Sequence, residues 1–380
     1  MLPEPLLDAP MTPTRLLLAA ALLCASSARA DTIYLTDGQT LDEVTIQDQT
    51  LTGVIYRAKG KSTDTTLEPE KVLGVEYQRL PRLLDQAEAA VQEGSLNEAI
   101  EDFKSFVEGI QDGSNTKDRQ KWAPAYALQR VIELQMTLGN LPGVIAAADA
   151  LIRSAPQSFH VPRAYLTKAD AQRWLGKEAE ALATLEAFKA LIDEQRLSEG
   201  WRLEADLAVL LSDKKLSGSA KRSRLADTIS AAGKDYPTVK NRALVAEGES
   251  YLEESKPDFA KALAAFRNIV ADPSSDDATL AGAYTGIGDC LYLQAAAALQ
   301  KKSLDEQMAK DLREALKSYL RVVLVYKDQS RYVQKALFFS GRVFDLFGSD
   351  AERQSARSMY QRLVRDYPAS SWASDAKVFL

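Results

Sequence analysis

A single histidine, His160, stands in the 380 residues of the chain, between Phe159 and Val161-Pro162. An imidazole can shuttle protons near neutrality, serve as the base of a nucleophile or bind a metal. Each role needs company. There is no second histidine and no cysteine nearby, so neither a metal set of the usual type nor a serine–histidine pair assembles from neighbouring residues. A packed or loop histidine is the expectation. Cys290 lies in Gly286-Ile287-Gly288-Asp289-Cys290-Leu291-Tyr292, where the glycines invite a nucleotide-loop reading. The third glycine and the preceding strand of such a loop are missing. Gly282, Gly286 and Gly288 are expected instead on one helix that a neighbour approaches closely, with Cys290 a small apolar filler. Gly60-Lys61-Ser62-Thr63 has the ending of a phosphate-binding loop, but Ile55 occupies the position of its first glycine. Asp64-Thr65-Thr66-Leu67-Glu68-Pro69 follows as strand and turn, without the helix whose amides would cradle phosphate. The acidic pairs Glu253-Glu254 and Asp276-Asp277 form no recognisable carboxylate dyad or calcium loop and are expected at solvated helix ends. No Gly-x-Ser-x-Gly elbow is present. The expectation is a non-catalytic protein with no cofactor and no metal.

The composition agrees with a binding role. At 46% hydrophobic and 26% charged residues, the chain has an ordinary globular balance, which excludes wholesale disorder and a multi-span membrane protein. A formal charge of −6, with no basic stripe to neutralise phosphates, excludes nucleic acid as the dominant partner.

Residues 16–23 form an apolar run after Arg15, far shorter than the roughly 20 residues of a membrane span. With Ala28-Arg29-Ala30 behind it, the run reads as a secretory signal peptide over 1–30, cleaved between Ala30 and Asp31. Glu4 and Asp8 suit such a segment poorly, which points to Met11 as the true start. Cys24 follows Leu23, where a lipoprotein signal has a small residue, so lipidation is not expected. Cleavage removes Glu4, Asp8, Arg15 and Arg29, two acids and two bases, so the mature charge stays −6. Only Cys290 then remains, and stability rests on packing without a disulfide. No transmembrane span is expected in the mature chain, and the compartment is the periplasm, or the exterior if the chain is secreted.

From 31 to 81 the apolar residues alternate. Thr32–Leu35, Val44–Ile46, Leu51–Tyr56, Thr65–Leu67 and Val72–Tyr77, separated by turns at Asp37-Gly38 and Lys59–Ser62, predict five short antiparallel strands. Such a set usually curls into a small barrel, coarsely similar to SH3-like and Sm-like modules.

From Arg82 the spacing becomes helical and a pattern recurs. Ala87, Gly94, Ala99 and Phe103 lie seven, five and four apart; Ile132, Gly139, Val144 and Ala148, and Ala169, Gly176, Ala181 and Leu185, repeat those intervals. Ala356, Tyr360 and Pro368 keep the four-and-eight spacing. These intervals resemble the tetratricopeptide repeat, a 34-residue helix–turn–helix unit. Small residues admit the partner helix, glycine ends the first helix, and an aromatic or leucine fills the gap. About seven hairpins are expected, at 82–112, 119–157, 161–195, 198–237, 239–273, 278–329 and 331–368, with a terminal helix over 371–380. The fold class is therefore mainly α: a tetratricopeptide-like α-solenoid over 82–380, preceded by the small β module. Tyr367-Pro368-Ala369-Ser370 also resembles junctions in bacterial envelope repeats, such as those of the Tol–Pal accessory protein and of outer-membrane assembly lipoproteins.

The resemblance implies a concave groove lined by the first helix of each unit and suited to an extended or helical peptide. Its expected lining is Tyr126, Gln129, Glu133 and Met136 in the second unit, with Arg163, Leu166, Asp170 and Arg173 in the third. The implied function is a scaffold that holds a segment of an envelope protein. The alternative is a periplasmic holding chaperone or carrier for outer-membrane clients.

Overall fold

The computed structural model describes residues 30–111, 121–216, 218–301 and 303–380. The expected signal core and the alternative start at Met11 lie outside them. The chain divides between Leu80 and Pro81 into two compact units.

In the first unit the alternating residues form β1 (Asp31–Leu35), β2 (Thr40–Thr50), β3 (Gly53–Ala58), β4 (Thr65–Leu67) and β5 (Val72–Glu76). They make one antiparallel sheet in the order β4-β3-β2-β1-β5, with Ile33 of the inner strand β1 paired to both Leu41 and Val75. Ile33, Val44, Val54 and Val72 of the strands and Leu51 of the β2–β3 turn are buried. The reversal between β1 and β2 uses Gly38 at φ +84°, where a side chain would be strained. The Asp31 carboxylate accepts from the Ile46 and Gln78 N–H groups at 3.0 and 2.8 Å, which ties the start of β1 to β2 and to the chain beyond β5.

The sheet is open, which corrects the expected barrel. Closure would require β4 to pair with β5, yet β4 pairs with β3 and β5 with β1. The physical reason is local: β4 has three residues, and Pro69–Lys71 then coil into a 3-10 turn. A proline there offers no N–H to a neighbouring strand.

The second unit is helical. Fifteen helices are present among the described residues. They are α1 (Arg82–Gln92) and α2 (Leu96–Gln111), α3 (Ala123–Thr137) and α4 (Leu141–Ser154), then α5 (Val161–Trp174) and α6 (Glu178–Gln195). There follow α7 (Glu199–Ser212) and α8 (Gly218–Ala232), α9 (Pro237–Ser250) and α10 (Phe259–Ala271), then α11 (Asp277–Leu299) and α12 (Glu306–Val325). Last come α13 (Ser330–Phe347), α14 (Asp350–Asp366) and the short α15 (Ser371–Ala376).

Each helix packs on the next. Gly94, Gly139 and Gly176, the glycines of the regular spacing, all have positive φ and end α1, α3 and α5. Phe103, Phe188, Phe266, Tyr319 and Tyr360 are fully buried between helices, each contributing roughly 1.5–3 kcal/mol through burial. Opposite Phe266, Tyr319 and Tyr360 the close approach needs bare backbone: a Cβ on Gly288 would lie 2.5 Å from Tyr319 Cε1. Asp276 caps α11 and Asp305 caps α12, each accepting a backbone N–H of the first turn, and Ser349 with Glu352 forms a reciprocal capping box on α14.

Candidate functional site

The first helices of successive hairpins are joined through charged side chains. On α1, Glu88 accepts from the Tyr126 hydroxyl at 2.6 Å and from two N–H groups of Arg130 at 2.7 and 3.0 Å. Arg130 also reaches Glu133 at 2.5 Å, and Gln129 Nε2 donates to the same carboxylate at 3.0 Å. Burial, reinforced by the Glu88 carboxylate, raises the Tyr126 phenol above its ordinary range, so it remains a donor.

A second network spans α5, α7 and α9. Asp170 pairs with Arg173 at 2.9 Å and with Arg242 at 3.2 Å, while Arg242 also reaches Glu204 at 2.5 Å. Burial alone would raise the Asp170 carboxyl. The guanidinium groups of Arg242 and Arg173 overcome that and hold it below its ordinary value. Arg163 lies in the fields of Glu204 and Glu133. Burial, the largest influence on it, lowers its pKa against the pull of both carboxylates.

The helical unit also returns on itself. At the start of α13 the Ser330 hydroxyl donates to the Met136 carbonyl at 2.9 Å. Beside it, a Cβ on Gly139 would lie 2.9 Å from Gln334 Nε2. Arg331 places its guanidinium over the Trp174 ring at 4.6 Å and over its neighbour Tyr332 at 5.2 Å. Two cavities flank this seam, of about 290 and 170 Å3. The larger is lined by Met136, Trp174, Lys335 and Trp372, the smaller by Arg173, Arg242 and Lys221, and Glu249, Arg331 and Tyr332 border both.

Of the eight groove residues expected from the sequence, Met136 and Arg173 border the cavities. Tyr126, Gln129 and Glu133 form the network at Glu88, and Arg163 and Asp170 belong to the charged network of α5, α7 and α9. Leu166 is buried in the apolar core with Ala169, Leu185 and Phe188. Sequence reasoning missed Trp174, Glu204, Arg242, Glu249, Arg331 and Tyr332. Trp174 had a local signal, since it follows Arg173 at the end of the third unit's first helix. The others lie in the fourth, fifth and seventh hairpins, and it is the fold that brings Glu249, Arg331 and Tyr332 beside Trp174.

Burial, with help from Arg163, pushes the His160 imidazole down to about 3, and its ring lies against Phe159 with centroids 3.9 Å apart. Burial and the adjacent Asp289 push the Cys290 thiol up to about 12. Asp276 is a cap, whereas Glu253 and Glu254 are not simply solvated: they pair with Lys221 and Arg222 of α8 at 2.5 and 2.6 Å. Gly60 has φ +76° and Lys61 N–H returns to the Ala58 carbonyl at 3.0 Å, so that segment is a hairpin turn. Among the described residues no helix is long and apolar enough to cross a membrane, and no cluster of three histidine, cysteine, aspartate or glutamate residues could hold a metal.

No protein-family model matches the chain, and no curated protein matches it at a significant level.

Proposed function

We propose that the protein is an exported, non-catalytic scaffold of the bacterial envelope. In this reading the mature chain starts at Asp31, the helical unit is a tetratricopeptide-like array, and its inner side holds a segment of an envelope protein. The carrying observation is the pair of cavities at the seam, where helices from hairpins far apart in sequence face one another around Trp174, Arg331 and Tyr332. Mixed charge with aromatic faces suits polypeptide recognition, because guanidinium and carboxylate groups orient a chain while rings supply contact area. The apolar run at 16–23 and Ala28-Arg29-Ala30 support export. A β module on the same chain as the array would tether a second partner to the first and raise their effective concentration.

The test is in-cell crosslinking of a C-terminally tagged chain, with mass spectrometry of the partners and of the mature N-terminus. One or two stoichiometric envelope proteins linked to α3, α5 or α13 are expected. A long set of substoichiometric outer-membrane proteins would replace the scaffold with a holding chaperone. Cytoplasmic partners and an uncleaved N-terminus would sink both.

A further inference from the structure

The charges around the two cavities do not cancel pairwise. Arg173 and Arg242 are held by Asp170, with Glu204 on Arg242 as well; Lys221 is held by Glu253 and Lys335 by Asp289. Arg331 differs. It is exposed, stacked on aromatic rings, and has no carboxylate within 4 Å among the described residues. On the opposite side of the balance, Glu249 borders both cavities and forms no ion pair among the described residues. At the larger cavity Arg331 and Glu249 therefore stand without a direct ion pair, although Arg331 acts on Asp170 and Glu249 on Lys335 at longer range; at the smaller one Asp276, a helix cap, is a further carboxylate without an ion pair. Around Arg331 and Glu249 stand Trp174, Tyr332 and Trp372.

We infer that this space is a binding site for a small zwitterion, of the size of an amino acid or a dipeptide. Its carboxylate would pair with Arg331, whose planar fork matches a carboxylate in bidentate fashion. Its ammonium would pair with Glu249, and its apolar side chain would lie against Trp174 and Trp372. The larger cavity, about 290 Å3, is close to the lower end of ordinary small-molecule sites. A ligand with one charge would forgo the ion pair to the other group, which is the source of discrimination. The inference concerns the same cavities as the scaffold reading and gives the larger one a different occupant, a small solute in place of a polypeptide segment, so binding of the free dipeptide tests this site whether or not crosslinking finds an envelope partner.

The experiment titrates the full mature chain with alanyl-phenylalanine, its N-acetyl form, its C-terminal amide and the doubly blocked form. Heat of binding and tryptophan fluorescence are the readouts, because two of the four tryptophans border the cavity. The free dipeptide is expected to bind, with each blocking group weakening it roughly tenfold or more. Arg331→Gln should lose the discrimination against the amide but keep that against the acetyl form, and Glu249→Gln the reverse. Arg331→Lys should keep the preference for the free carboxylate. Unchanged helical circular dichroism verifies that each variant is folded. No binding at millimolar concentration, or equal binding of all four forms, overturns the site. Preferential binding of the doubly blocked form would also overturn it, and would assign the space to an internal polypeptide segment.

Discussion

Ser330 at the start of α13 donates to the carbonyl of Met136 near the end of α3 across 2.9 Å, joining residues 194 positions apart. Neighbouring hairpins are held by buried apolar side chains, whereas this seam is held by polar contacts and a guanidinium stacked on an indole. Net hydrogen-bond contributions are only about 0.5–1.5 kcal/mol each. Each polar contact of the seam therefore adds only a little to the packing of the helical unit.

Gly139 is where the seam can be strained selectively. Alanine there must accept φ +71° and meet Gln334. Gly139→Ala should cost about 1–3 kcal/mol, with the gain in amide hydrogen exchange concentrated in the α3–α4 turn and the first turn of α13. Uniform exchange across all hairpins would show that the seam is not a separate junction.

The contact of Gly288 with Tyr319 should be less forgiving. A methyl group there has no room, because Tyr319 is fully buried and its hydroxyl is fixed to Asp289 at 2.9 Å. Gly288→Ala should lower stability by about 1–3 kcal/mol, read as a fall in thermal midpoint. Tyr319→Phe in the same background should not restore it, since the ring and not the hydroxyl blocks the methyl. A neutral Gly288→Ala would refute the close approach.

How much of this was legible follows from range. Gly94, Gly139 and Gly176 announce helix ends through spacing alone, and Asp170 and Arg173 fall on one face of a helix because helical period is a local property. Arg331 over Trp174 could not be read, because the contact joins residues 157 positions apart and depends on how all the intervening helices pack. Openness of the sheet was also hidden. Alternation marks Thr65–Leu67 as a strand but does not say whether three residues can reach β5.

Cys290 offers a chemical check on the packing. Its thiol is buried and pushed up to about 12, so the thiolate is scarce at pH 8 and shielded from reagents. Native protein should resist a disulfide-exchange reagent at that pH, and modification should track unfolding by urea. Fast labelling of folded protein would mean that α11 opens or that the thiol is exposed.

His160 makes stability depend on pH in a defined window. Its folded value is about 3 against an ordinary 6.5, so between those values the unfolded chain binds the extra proton. Stability from this residue is complete above 6.5 and is lost progressively as pH falls toward 3. Urea unfolding of wild type and His160→Asn should show a steeper acid decline in the wild type. Parallel slopes would place the imidazole in water.

Asp170 supplies the last test, because it holds two guanidinium groups at once. Its partners are only partly exposed, Arg242 at 30% and Arg173 at 19%, so screening is incomplete and the network is worth more than a surface pair. Removing the carboxylate strands Arg173 more than Arg242, since Glu204 still holds Arg242 at 2.5 Å. Asp170→Asn should therefore cost about 1–3 kcal/mol, and Arg173→Gln should recover part of that loss in the double variant. Combining Asp170→Asn with Arg242→Gln should recover less, because Glu204 is then left unpaired. The pH dependence has its own sign. The carboxyl is held below 3.8 in the folded state, so its contribution is present above that value and fades as pH falls through the folded one. The gap between wild type and Asp170→Asn should be flat near neutrality and close in acid. A gap that persists below the folded value would trace the loss to packing of the amide, not to the charge.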